Sequence, residues 1–114
     1  MPLTTIRVLL VEDEIMIRMM VADMVEQLGH AVAAEAGDVG RAAELAQTGL
    51  FDLAILDVNL NGKMSFPVAD IIMRRRIPLI FASGYAVDNF PAAFGSTTKL
   101  QKPFSDRDAR GWPP

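Results

Sequence analysis

Glu12 and Asp13 stand side by side, Asp57 closes an apolar run, and Ser83 and Lys102 follow downstream. These residue types together suit phosphoryl chemistry. Carboxylates held within a few ångströms repel, by about 4 kcal/mol per pair at 4 Å and an effective dielectric near 20. Such a group needs a cation or raised pKa values. The chain has no cysteine and one histidine, His30, so the donors are oxygens. Oxygen donors suit a hard divalent ion, Mg2+ by preference. A carboxylate beside such an ion is a nucleophile toward phosphorus, and the ion neutralises the transferring oxygens. A lysine adds a second positive charge, and a serine hydroxyl with neighbouring backbone N–H groups binds phosphate oxygens. In that arrangement Asp57 is the nucleophile, Glu12 and Asp13 serve the metal, and Ser83 and Lys102 serve the phosphate.

Strands must bring these residues together. Leu53-Ala54-Ile55-Leu56 is a short unalternating apolar run, as expected of a strand buried on both faces. Ile6 to Val11, Pro78 to Ala82 and a shorter Thr98 to Leu100 read the same way, and His30 to Ala36 is a short second strand. Helical spacing runs from Met16 to Met24 and ends at Gly29. The methionines at 16, 20 and 24 are expected to be core filler, and His30 a turn or strand-start residue. Asp38 is an N-cap candidate for a helix over Val39 to Gln47 that ends at Gly49. Asn59 to Ser65, with Asn61-Gly62, is a polar turn. Phe66 to Arg76 is a third helix with Pro67 in its first turn. The arginines at 74, 75 and 76 would then complement its dipole. Tyr85 to Thr98 is broken by Asp88-Asn89, Pro91 and Gly95, so only a short helix or an irregular segment fits.

Alternation of strands and helices predicts a parallel sheet with right-handed crossovers. The expected fold class is α/β: a flavodoxin-like, doubly wound, five-stranded parallel sheet of order 2-1-3-4-5. Its fourth helix is short or irregular and its fifth missing or truncated. All carboxyl ends of such a sheet share one edge, where α/β proteins bind ligands. Glu12-Asp13, Asp57, Ser83-Gly84 and Lys102 each follow a strand, so they converge although far apart in sequence. Each has a plainer reading alone. Asp13 can be a helix N-cap, Lys102 a surface lysine before a turn proline, Ser83-Gly84 a turn, and Asp57 a loop cap. Their common position favours the site.

The 114 residues are expected to form one domain, with no metal or disulfide staple needed for folding. The hydrophobic content of 51% argues against disorder. A net charge of −3 without a basic tail argues against nucleic acid as a partner. Apolar runs are too short for a membrane span and no signal peptide is visible, so a soluble cytoplasmic protein is expected.

Val11-Glu12-Asp13-Glu14, Ile55 to Leu60, Phe81-Ala82-Ser83-Gly84-Tyr85 and Lys102-Pro103-Phe104 resemble, in this order, the response-regulator receiver domain of bacterial two-component signalling. The resemblance spans Thr5 to Phe104 and leaves residues 105–114 as an atypical tail. It implies that Asp57 accepts a phosphoryl group from a sensor histidine kinase or a histidine phosphotransfer protein. It further implies Glu12 and Asp13 as the acidic pocket and the backbone carbonyl of Asn59 as a further Mg2+ ligand. Ser83 is then the switch hydroxyl and Lys102 the paired lysine. Chemistry in such domains is limited to self-phosphorylation and self-dephosphorylation. The Phe-Ala-Ser-Gly-Tyr run is similar to a subfamily with a Phe-Ala-Thr-Gly-Gly/X-Tyr signature, often stand-alone alphaproteobacterial receivers.

Two departures from that pattern bear on output. Lys99 stands where receivers usually carry an aromatic switch residue, so the segment from Tyr85 to Thr98 is expected to order and disorder instead. Ser105 to Trp112 has little apolar periodicity where a fifth helix is usual. The uncovered face would exceed the roughly 400 Å² of apolar surface that a monomer tolerates, and a homodimer through it is expected. With no room for an output domain, signalling to an output protein would be by contact. The competing readings are a small Mg2+-dependent phosphatase of the haloacid-dehalogenase type and an interaction domain that is never phosphorylated. The phosphatase family places its nucleophile after the first strand with a second Asp two positions on, whereas position 59 here is Asn.

Overall fold

The computed structural model describes residues 5–83 and 90–101. Five strands, β1 (Arg7–Val11), β2 (Ala31–Ala36), β3 (Leu53–Asp57), β6 (Leu79–Ser83) and β7 (Thr98–Gln101), form one sheet of order β2-β1-β3-β6-β7. Every neighbouring pair is parallel. With the two short strands β4 (Asn59–Leu60) and β5 (Lys63–Met64) of a separate hairpin set aside, this is the expected 2-1-3-4-5 order. β3 is buried along its whole length, which is why its sequence carries no polar alternation. At the β2 edge, the register against β1 slips between Val8 and Leu9, so that Ala33 bulges out of the ladder.

Alternate strand residues feed two cores. Leu9, Val11, Ala54, Leu56 and Phe81 pack with α2 (Val39–Thr48) and α3 (Phe66–Arg74). Val8, Leu10, Leu53, Ile55 and Ile80 pack with α1 (Ile15–Gln27) through Val21, Met24 and Val25. The methionine expectation therefore holds only for Met24. Met16 is 84% exposed and Met20 48%, with Ile15 and Met19 exposed beside them. Each four-residue step turns about 40° past a full helical turn, so Met16 and Met24 lie roughly 80° apart around the axis. The buried stripe follows 17, 21, 24, 25 and 28 instead.

The Asp38 side chain caps α2, accepting from the Arg41 N–H at 2.8 Å. α3 ends at Arg74, two residues short of the expected Arg76, which adopts a left-handed φ of 59°. Only Arg74 lies in the last turn. Arg75 instead ties α3 to the end of α2, donating to the carbonyls of Ala46 (2.7 Å) and Gly49 (2.9 Å) and lying over the Phe51 ring. His30 is a strand-start residue, its Nδ1 accepting from the Ile6 N–H at 3.1 Å. In the described part of the broken segment, only a 3-10 turn forms, Ala92–Phe94. Ser105 to Trp112, where the fifth helix is expected to be missing or truncated, lies outside the described residues.

Candidate functional site

β1 and β3 are adjacent, with Val11 paired to Leu56. Their carboxyl ends deliver Glu12, Asp13 and Asp57 to one place. Glu12 and Asp57 are buried, at 3% and 8% exposure, and Asp13 is half-buried. Each offers a carboxylate oxygen, and these oxygens lie within 4.8 Å of one another. The alternative of Asp13 as helix cap is not realised, because Glu14 occupies the N-cap of α1 and no side chain caps it.

The polar turn over 59–65 is a small antiparallel hairpin, β4 (Asn59–Leu60) and β5 (Lys63–Met64). Asn61 and Gly62 both take positive φ, 53° and 87°, as a type I′ turn requires. The hairpin folds back over the acidic group. The Asn61 N–H donates to Asp13 Oδ2 at 3.2 Å, and the Asn59 N–H lies 3.4 Å from Asp57 Oδ1. Asn59 Oδ1 in turn accepts from the Gly62 N–H at 2.7 Å, fixing the turn. The Asn61 amide was missed in the sequence, although the Asn-Gly pair between Leu60 and Lys63 is the strongest short signal for a hairpin.

Desolvation is the largest influence on the Asp13 carboxyl and pushes its pKa up. Hydrogen bonds outweigh it and leave the group below the ordinary carboxylate value; they come from the Glu12 carboxyl, the Asn61 and Asp13 backbone N–H groups and the Asp57 carboxyl. Three converging oxygen donors, two of them buried, with no nitrogen or sulfur ligand among them, fit a hard divalent ion such as Mg2+. Asn59 begins β4, two residues after Asp57.

Ser83 is the last residue of β6, and the preceding Ala82 pairs with Asp57. The backbone of Ser83 thus ends at the same edge, beside Gln101, with which it pairs. Lys102 lies outside the described residues, as do Gly84 and Tyr85. Lys99 acts as an anchor: its Nζ donates to the carbonyls of Phe94 (2.9 Å), Gly95 (3.1 Å) and Thr97 (2.7 Å). It also lies over the Phe90 ring, 4.7 Å from the centroid. Phe90 and Phe94 join Phe66 and Phe81 in an aromatic cluster with ring centroids 5.0–5.7 Å apart.

A family model described as the response regulator receiver domain matches residues 8–110. The transcriptional regulatory protein PdtaR of Mycobacterium tuberculosis is 36% identical over 107 residues, 90% of this chain and 52% of its own length. The chain therefore spans about half the length of that curated relative. The solution structure of SdrG from Sphingomonas melonis is similar with a TM-score of 0.81 and 38% identity, covering 92% of this chain and 90% of the other. A BeF3-activated conformation of SdrG, attributed to Pseudomonas melonis, is similar with a TM-score of 0.77 and 36% identity, covering 94% and 92%. Among the described residues no helix is long and apolar enough to cross a membrane.

Proposed function

The chain belongs to the receiver domain family of two-component response regulators, and from that premise we propose that Asp57 is its phosphoacceptor. The observation that carries this reading is the convergence of Glu12, Asp13 and Asp57 oxygens within 4.8 Å at the carboxyl edge of the sheet. An Asp57 carboxylate oxygen attacks the phosphorus of a phosphohistidine on a histidine kinase or phosphotransfer protein. The new O–P bond forms as the N–P bond breaks, and the electron pair returns to the imidazole nitrogen. Glu12, Asp13, Asp57 and the Asn59 carbonyl would hold Mg2+, which when bound supplies positive charge to the phosphoryl oxygens. Ser83 and Lys102 serve those oxygens as hydroxyl donor and cation. Turnover is confined to the protein's own Asp57, in the cytoplasm, and the outcome is read by an output protein through contact.

Support for phosphorylation as the trigger comes from SdrG, a relative for which a BeF3-activated conformation is known. The haloacid-dehalogenase reading is disfavoured by position, since Asp57 ends the third strand rather than the first. The exposed Ile15, Met16, Met19 and Met20 on α1 favour a second copy of the chain as a partner on that face. A mass in light scattering that stays monomeric over a wide concentration range would remove the dimer from the proposal.

Intact-mass measurement after acetyl phosphate and Mg2+ tests the central reading. Wild type is expected to gain one phosphoryl group and Asp57→Ala none. No added mass on wild type would leave the unphosphorylated interaction domain as the better account.

A further inference from the structure

We propose that Arg18 is a positioning residue for the metal site, acting through the backbone of Glu12. The inference rests on the reading of Glu12 and Asp13 as metal ligands.

Arg18 lies one turn into α1, and its half-buried guanidinium reaches back over the end of β1. Nη1 donates to the Glu12 carbonyl at 3.0 Å, and Nε pairs with Glu35 Oε1 of β2 at 3.1 Å. The Glu12 N–H donates to the Ala36 carbonyl at 3.0 Å. Both backbone polar groups of Glu12 are therefore engaged, one by β2 and one by Arg18. The next residues are held by the same helix turn: the Glu14 N–H donates to Glu12 Oε2 at 3.1 Å, and the Arg18 N–H to the Glu14 carbonyl at 2.9 Å. Arg18 thus fixes the Glu12–Asp13 peptide from which both carboxylates project. Because Glu35 neutralises its charge, the guanidinium can sit close to the site without standing as a bare cation against an incoming metal.

Gly37 makes room for this arrangement. A Cβ at position 37 would lie 2.8 Å from Arg18 Nη1 and 3.8 Å from the Glu12 carbonyl oxygen. A side chain there would push the guanidinium off the carbonyl while leaving Arg18 itself in place. Gly37→Ala is thus a second, independent way to break the same bond, and it displaces only the far end of a flexible side chain.

Outer residues that orient ligands typically contribute 10–100-fold in metal affinity. Calorimetric titration with Mg2+ alone, on wild type, Arg18→Met, Arg18→Lys and Gly37→Ala, reads the effect directly. Urea unfolding of the same proteins without metal separates positioning from folding. Arg18→Met and Gly37→Ala are expected to weaken Mg2+ binding about tenfold. Arg18→Lys, which keeps a donor and the charge, is expected to fall between them and wild type. If Arg18→Met and Gly37→Ala bind Mg2+ as tightly as wild type, or tighter, the positioning role is overturned, whatever their stability. Wild type that takes up no Mg2+ overturns the metal reading, and this inference with it. If Arg18→Met fails to fold, Gly37→Ala decides by itself.

Discussion

Replacing Asp57 by Asn should stabilise the protein when metal is absent. The substitution keeps shape and leaves an oxygen to accept from the Asn59 N–H, while removing one charge from a group whose oxygens lie within 4.8 Å. At that separation one fully charged pair costs about 3.5 kcal/mol at an effective dielectric of 20, and about 0.9 kcal/mol in bulk water. Glu12 and Asp57 are buried, which favours the higher figure; half-buried Asp13 favours the lower. The expected gain is about 1–3 kcal/mol. Urea unfolding in EDTA, followed by far-UV circular dichroism, measures it as a midpoint raised by about 1 M. Added Mg2+ should then close the gap. At ten times its dissociation constant, Mg2+ stabilises wild type by about 1.4 kcal/mol, and Asp57→Asn should gain less. If Asp57→Asn in EDTA is no more stable than wild type, the carboxylates do not strain one another and the electrostatic case for a cation fails.

Three further outcomes follow from the packing. Arg75→Ala should cost about 2 kcal/mol in urea unfolding, since it removes two charge-assisted hydrogen bonds to the end of α2 and the contact with Phe51. Amide exchange at Thr48 and Gly49 should quicken with it. Ser65→Ala should leave stability unchanged or raise it by about 1 kcal/mol, because the Ser65 hydroxyl is buried, has no hydrogen-bond partner among the described residues and does not cap α3; a clear loss would reveal a partner for that hydroxyl. Asp52 is held below the ordinary carboxylate value, first by the Arg7 N–H and then by the Arg7 guanidinium. Its folded-state pKa is depressed, so its contribution is present above about pH 4 and is lost as pH falls through the lowered value. Asp52→Asn should therefore flatten part of the acid limb of the stability curve; an unchanged limb would mean the pair contributes nothing.

The sheet was legible because its buried strands are contiguous apolar runs that stop on polar residues, as Leu53 to Asp57 does. Strand order then placed the three carboxylates together without any knowledge of the side chains. Surface and core were harder to separate on α1. Met16 and Met20 match a four-residue repeat, yet a helix turns past that repeat and carries them into solvent. The hairpin over Asn59 to Met64 reads in sequence only as a turn, because each of its strands is two residues long, too short for alternation to register. Lys99 could be flagged as a departure from the family pattern, but its three carbonyl partners belong to a segment with no periodicity to read. Arg18 gives no sign in the sequence, since one arginine in an amphipathic helix does not reveal a carbonyl six residues back.

The bulge at Ala33 bears on how the folded chain behaves among its own copies. β2 is an outer strand of the sheet, and an outer strand offers a row of backbone groups to any other extended chain. Here the row is interrupted where the register slips, and two residues later Glu35 is held in its ion pair with Arg18. A strand arriving edge-on would meet a broken ladder there. That geometry discourages sheet extension and fibril-like stacking along β2.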